Sequence, residues 1–227
     1  MSVKIRRVPL FLLALLAALP AQAAPLREGV QKTLYPDGKV KDELSYKAGK
    51  LNGISKSYFQ NGTLKSESNY ADGKMTGTAK TYHPNGRLNS EGSFKDGKRH
   101  GPRKTYDENG GLIADENYRM GLKDGTQLLY NPKTGIPYTE IQYKNDVKNG
   151  HERFFTSKGL LLWETNYVNG KKEGQSRTFS IANGWPSRIE NYKNDQLDGQ
   201  VVVFDDFAPV PEKVLRIERY KDGRQIG

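Results

Sequence analysis

The sequence predicts an all-β fold, an elongated, twisted single-layer antiparallel sheet of tandem units, each a β-hairpin of about 24 residues. Three observations predict it. Aromatic residues recur at Tyr58, Tyr82, Tyr106, Tyr130, Phe155, Phe179 and Phe204, always 24 or 25 residues apart. A second aromatic series (Tyr46, Tyr70, Phe94, Tyr118, Tyr143, Tyr167, Tyr192, Tyr220) and a glycine series (Gly53, Gly77, Gly101, Gly125, Gly150, Gly174, Gly199) keep the same phase. Within the units, Asn-Gly pairs such as Asn61-Gly62, Asn85-Gly86 and Asn109-Gly110 separate two extended runs, a strong hairpin signal because both residues tolerate positive φ.

The chain opens with Lys4, Arg6 and Arg7 before an unbroken apolar run from Val8 to Leu19, closed by Pro20 and Ala21-Gln22-Ala23. This pattern predicts a secretory signal peptide over residues 1–23, cut between Ala23 and Ala24, since the apolar run falls short of the ~20 residues that span a bilayer. No cysteine follows it to accept lipid, so the expected location is periplasmic and the protein is not expected to be a lipoprotein. Residues 24–34 read as an N-terminal lead-in, and 35–227 as the repeat domain of about seven units, with an atypical C-terminal unit at 200–227.

With no cysteine anywhere, stability must come from packing and strand pairing. Removing residues 1–23 takes away three cations and no acid, which lowers the net charge from +10 to +7. An exported basic protein is poorly placed to meet nucleic acid, whereas anionic lipid headgroups, a cell-wall polymer or an acidic protein remain open as partners. A hydrophobic content of 35% with 13 Tyr and 24 Gly suits a thin repetitive sheet rather than a thick core.

Each unit reads as strand, tight Asn-Gly turn, strand and glycine turn. The second strand carries a Leu six residues before its closing aromatic, at Leu64, Leu88, Leu112 and Leu161, and Gly-Lys-x-x-Gly follows, as from Gly49 to Gly53 and Gly170 to Gly174. A two-residue turn at Asn61-Gly62 places Lys56 opposite Glu67. The same construction pairs Lys80 with Glu91, Lys104 with Asp115, Arg153 with Glu164 and Arg177 with Glu190. In the unit around Thr134-Gly135 it pairs Leu128 with Ile141, an apolar pair in place of an ion pair. Such cross-strand pairs are worth about 0.2–1 kcal/mol each and serve mainly to fix register. The cations at Lys50, Lys74, Lys98, Arg99, Lys171 and Lys172 fall in turns and read as solvated.

The pattern Gly-Lys-x-x-Gly, aromatic, Asn-Gly, Leu, Glu and closing Tyr resembles the MORN-variant repeats, of the kind found in YwqK-type antitoxin proteins. Clean copies lie at 49–70, 73–94, 97–118 and 170–192, while Asn145-Asp146 and Asn194-Asp195 replace the first Gly-Lys, and Pro137 and Pro186 replace the Leu. The resemblance implies successive hairpins in one sheet that serves as an interaction surface. Sixteen strands would extend on the order of 75 Å. The segment from Asp205 to Lys213 replaces a tight turn and is expected to cap the edge or touch a partner.

Chemistry is not expected. The histidines His83, His100 and His151 fall in different units and phases, so neither a metal site nor a His-based nucleophile is built; no cofactor is expected, and no catalytic, cofactor-binding or metal-binding residue is assigned. Glu67, Glu91 and Glu164 each face their own cation, and Asp-Gly-Lys at Asp37, Asp72, Asp96 and Asp222 is turn chemistry. Pattern-breaking apolar residues are the better functional candidates: Phe154, Leu162, Trp163, Trp185 and Phe207 for partner binding. The expected function is a non-enzymatic periplasmic immunity or antitoxin-like protein that occludes a toxic effector enzyme, such as a secreted lipase or cell-wall hydrolase. An envelope scaffold holding anionic lipid or cell-wall polymer, with peripheral envelope contact, is the alternative.

Overall fold

The computed structural model describes residues 26–206 and 213–227. The expected signal peptide, its Ala23-Ala24 cleavage site and Phe207 lie outside the described residues. The rest forms one open, all-antiparallel sheet in which each strand pairs with its sequence neighbour. In order, the strands are β1 (Gly29–Leu34), β2 (Val40–Lys47), β3 (Lys50–Leu51), β4 (Gly53–Tyr58), β5 (Leu64–Ala71), β6 (Lys74–Tyr82), β7 (Leu88–Lys95), β8 (Lys98–Tyr106), β9 (Leu112–Arg119) and β10 (Leu122–Lys123). The second half continues with β11 (Gly125–Tyr130), β12 (Pro137–Lys144), β13 (Val147–Phe155), β14 (Leu161–Val168), β15 (Lys171–Phe179), β16 (Pro186–Lys193), β17 (Gln196–Leu197), β18 (Gly199–Phe204), β19 (Val214–Lys221) and β20 (Arg224–Gln225). β3 and β4, β10 and β11, and β17 and β18 are single strands interrupted at Asn52, Asp124 and Asp198. Gly29–Leu34, expected as part of a lead-in, is the first strand of the sheet and pairs along β2.

The two turns of the unit exchange their expected roles. The tight turn is the one between units: Asp72 and Gly73 have φ of +49° and +81°, and Ala71 pairs directly with Lys74 around them. Positive φ at both central positions defines a type I′ turn, whose twist matches that of the flanking strands. Asn and Asp also tolerate this conformation, which accounts for Asn145-Asp146 and Asn194-Asp195 at equivalent corners. The Asn-Gly turn is wider. Gly62 N–H donates to the Phe59 carbonyl and Phe59 N–H to the Thr63 carbonyl, and of Asn61 and Gly62 only Gly62 has positive φ, at +87°. A β-bulge between Ser57 and Tyr58 absorbs the extra residue. Because turn and bulge offset each other, Lys56 still lies opposite Glu67, as Lys80 does opposite Glu91, Lys104 opposite Asp115 and Arg153 opposite Glu164.

Two pairings differ from the expected ones. Arg177 faces Ile189, with Glu190 opposite Ser176, and Leu128 faces Glu140, with Ile141 opposite Gln127. The cause is one additional loop residue. Gly135 N–H reaches the Asn131 carbonyl and Gly184 N–H the Ser180 carbonyl, each closing a turn one residue longer than the regular one. The strands keep the pairing of the regular unit, Tyr130 opposite Pro137 and Phe179 opposite Pro186 as Tyr58 is opposite Leu64, so a count taken symmetrically from Thr134-Gly135 or Asn183-Gly184 overshoots by one residue, onto the other face.

The sheet coils so that one face is the more enclosed. Ser55, Ala114, Glu116, Gln127, Thr139, Ile141, Glu152, Thr165, Ser176 and Val201 are buried, and the strand alternation places all of them on the same side. Side chains on the other side stay mostly half-buried or exposed, Phe204 at the end of β18 being a buried exception. Successive units are tied by a spine of turn hydrogen bonds: Gly73 N–H donates to the Leu51 carbonyl, Gly97 to Met75, Gly121 to Arg99, Gly170 to Lys148 and Gly223 to Leu197. Where Asp146 and Asp195 replace glycine, their carboxylates also accept the Lys123 and Lys172 N–H groups.

Candidate functional site: the two faces of the sheet

The open face carries a row of alternating charge that crosses the sheet strand by strand. It runs Lys32, Glu43, Lys56, Glu67, Lys80, Glu91, Lys104, Asp115, through neighbouring pairings on every strand from β1 to β9. Leu128 interrupts it, Glu140, Arg153, Glu164 and Arg177 resume it, and Ile189, Val202 and Ile217 end it as an apolar row. Ion-pair distances include 2.8 Å for Lys32–Glu43, 3.4 Å for Lys56–Glu67 and 3.3 Å for Arg153–Glu164. Most of these cations are well exposed, so each pair contributes little alone and the row acts through register. Tyr58 Oη donates to Glu43 at 3.0 Å from the flanking position.

The enclosed face carries a different row, in which the closing aromatics alternate with the second residue of the next strand. Tyr118 is paired with Lys123, Tyr143 with Lys148, Tyr167 with Lys172 and Tyr192 with Leu197. The cations then lie over rings: Arg99 over Tyr118 at 5.5 Å, Lys123 over Tyr143 at 5.2 Å, Lys148 over Tyr167 at 4.9 Å and Lys172 over Tyr192 at 4.8 Å. Arg99 and Lys172, expected as solvated turn charges, are therefore packed on aromatic faces.

Beside this row stand carboxylates. Glu116 accepts from Arg103 Nη1 at 2.7 Å, from Gln127 Nε2 at 2.9 Å and pairs with Lys123 at 3.1 Å. Burial pushes its carboxyl up, but the Lys123 ammonium and Arg103 guanidinium outweigh burial and hold it below the usual carboxylate range. Glu152 takes Lys148 Nζ at 2.6 Å. Burial, then the hydrogen bond to Glu190, push the Tyr192 phenol up to about 12. These shifts belong to saturated pairs, which makes this row a packing device.

Of the expected partner-binding residues, the structure brings Phe154 and Trp163 together. They face each other across β13 and β14 with ring centroids 5.5 Å apart, on the enclosed side of the sheet, and Lys172 Nζ lies 5.6 Å from the Trp163 ring. Phe154 is 39% exposed and Leu162, the extra residue of the neighbouring bulge, 37%. Trp185 sits in the loop before β16, its N–H bonded to Asn183 Oδ1 at 2.9 Å and its carbonyl accepting from Ser180. Among the described residues no ring contact joins it to the pair. The histidines are each engaged separately: His83 Nε2 with the Tyr106 carbonyl at 3.0 Å, His100 Nδ1 with Met120 N–H at 3.4 Å and His151 Nε2 with Glu140 at 2.9 Å. Among the described residues, no group of three or more His, Asp or Glu is placed to hold a metal ion.

Sequence reasoning missed the cation–ring row and the break in the charge row. The signal for the first is present in the chain, since Arg99, Lys123, Lys148 and Lys172 recur at the repeat spacing in phase with the tyrosines.

The geometry defines a tandem β-hairpin repeat protein. Its first half is similar to the MORN repeat variant family, which matches residues 27–48, 51–72, 75–96 and 99–120. The sheet continues in the same pattern through the second half, where the partly exposed aromatic pair and the interrupted charge row lie. No curated protein matches the chain. Among solved structures, TarM resembles 42% of this chain over 20% of its own, at 16% identity and a TM-score of 0.28. The TcdB2-TccC3-Cdc42 complex resembles 79% of this chain over 14% of its own, at 14% identity and a TM-score of 0.23. The chain thus spans a fifth or less of the length of these structures, and the likeness carries no functional argument.

Proposed function

We propose that this protein is a non-enzymatic binding protein of the immunity or antitoxin type, exported to the periplasm, which occludes a toxic effector enzyme such as a secreted lipase or cell-wall hydrolase. One observation carries the reading. Phe154 and Trp163, with Leu162 beside them, present aromatic and aliphatic surface at a point where the other units have small polar residues such as Ser66, Thr81, Ser90 and Thr105. Aromatic residues that depart from a repeat are the usual anchors of an interface, and a rigid sheet presents them at low entropic cost. The expected signal peptide and the resemblance to YwqK-type antitoxin repeats support the immunity assignment.

The test is affinity purification of the tagged protein from the cell envelope after cross-linking, with and without Trp163→Ala. A single stoichiometric enzyme, inhibited when bound and lost from the variant, is the expected result. Recovery of only lipid or wall polymer, released by salt, overturns the reading in favour of an envelope scaffold.

A further inference from the structure

We propose that the break in the charge row at Ile189 makes Arg177 a receptor for a carboxylate on a partner protein, carried by an acidic residue with an aliphatic neighbour. The inference rests on the partner-binding reading and names the chemistry of one contact.

The interior cations of the row show what a complete position looks like. Lys56 stands between Glu43 and Glu67, Lys80 between Glu67 and Glu91, Lys104 between Glu91 and Asp115, and Arg153 between Glu140 and Glu164. Arg177 has Glu164 on one side, 3.5 Å from Nη1, and Ile189 on the other. The carboxylate that would have completed it, on Glu190, is on the opposite face and is engaged by Arg188 at 2.7 Å and Tyr192 Oη at 3.0 Å. Ile189, at the position that Glu67 holds in its own unit, thus leaves a half-paired guanidinium, whose side chain is 44% exposed.

The surroundings favour an anion. A cleft of about 410 Å³ runs over Arg153, Glu164 and Arg177 and is walled by His151, Asn166 and Gln175. Gln175 Oε1 accepts from Arg177 Nη2 at 2.7 Å, which turns the Gln175 amide nitrogen outward from that bond. Glu164 is shared between Arg153 and Arg177, so its charge is already answered twice. A planar guanidinium with an open edge takes a carboxylate by two parallel hydrogen bonds, which a lysine in the same place would not do. On the next strands the row continues as Ile189, Val202 and Ile217, with Ile217 50% exposed. This apolar step beside the guanidinium selects a peptide in which an aliphatic side chain adjoins the acid, rather than a small free anion.

The test titrates the purified full chain with a blocked pentapeptide of alternating Ile and Glu, and with the same peptide carrying Gln for Glu. Affinity is read by calorimetry, and contact by the Nε–Hε NMR signal of Arg177. The Glu peptide is expected to shift that signal and to bind about fivefold more tightly than the Gln peptide. Arg177→Gln is expected to remove the preference, and so is Ile189→Glu, which supplies the missing carboxylate from within the sheet and should leave the fold intact. Equal binding of the two peptides, or a preference that survives Ile189→Glu, overturns the proposal. Loss of partner capture with the peptide preference intact would overturn the immunity reading and leave this site standing.

Discussion

Arg177 lies directly across from Ile189, while Glu190, one residue further along the chain, projects from the opposite face. The sequence of β16 sets this relationship, since Pro186 to Tyr192 keeps the pairing of Leu64 to Tyr70 and puts Ile189 where that strand has Glu67, while the Ser180–Trp185 connection absorbs one more residue than the regular Asn-Gly turn.

Deleting Ala182 tests how firmly the faces are fixed. A regular-length loop has the six-residue spacing of Tyr58 to Leu64, so Phe179 should stay opposite Pro186, Arg177 opposite Ile189 and Tyr192 against Lys172. The register is expected to be unchanged and stability to stay within about 0.5 kcal/mol. Thermal melts, with proteolysis to locate cutting after residue 180, check it. A melt lowered by many degrees would show that the extra loop residue, and not the strands, sets the register.

Glu116 should make stability acid-sensitive. Its folded pKa lies below its ordinary value of about 4.5, so the stabilisation it provides is fully present above that pH and is lost as pH falls through the lower folded value. Glu116→Gln, which leaves Arg103 and Lys123 without their carboxylate, is expected to cost about 2 kcal/mol at neutral pH. The variant should also flatten the pH dependence of the melting temperature below pH ~4.5. If the variant retains the full wild-type acid sensitivity, the loss has another origin.

Gly111 is required for a reason other than backbone freedom. A Cβ there would overlap the Pro132 carbonyl of the next unit, a backbone group that cannot move aside. Gly111→Ala is expected to cost about 2 kcal/mol. Gly135→Ala, where a Cβ meets nothing but φ is +70°, should cost about 1 kcal/mol. Equilibrium denaturation of both variants would reveal a reversed order, which would refute the close approach of the two loops.

Phe154 and Trp163 should be energetically coupled. Their tilted contact at 5.5 Å predicts an interaction of about 0.5–1.5 kcal/mol in a double-mutant cycle with alanine. Additive effects would mean that the rings share a surface without supporting each other.

The repeat, its phase and its hairpin character were legible in the chain because they depend on spacing alone. Which corner is tight was not. Asn61-Gly62 and Asp72-Gly73 both tolerate positive φ, and composition cannot distinguish a type I′ turn from a wider turn closed by a bulge. Lys56 and Glu67 could be placed opposite each other because the bulge returns the residue that the wider turn adds. The same construction fails at Arg177 and at Leu128, where the bulge is present but one extra loop residue moves Asn183-Gly184 and Thr134-Gly135 off the centre of the turn. Among the candidate residues, Phe154 and Trp163 could be recognised as departures from the pattern. Arg177 could not, since on paper it had a partner in Glu190.

The spine of turn bonds, Gly73 to Leu51, Gly97 to Met75 and onward, connects each unit to its immediate predecessor. Stability in such an array is a sum of neighbour terms, and the array should therefore melt like a zipper from its weaker end. β1 is exposed along its whole length, whereas the buried residues concentrate between Ala114 and Val201. Fraying should begin at the N-terminal units, and amide exchange should be slowest from β9 to β18. The surfaces assigned here to partner binding stand on that slow half, so a partner meets a platform that stays ordered while the front of the sheet opens and closes.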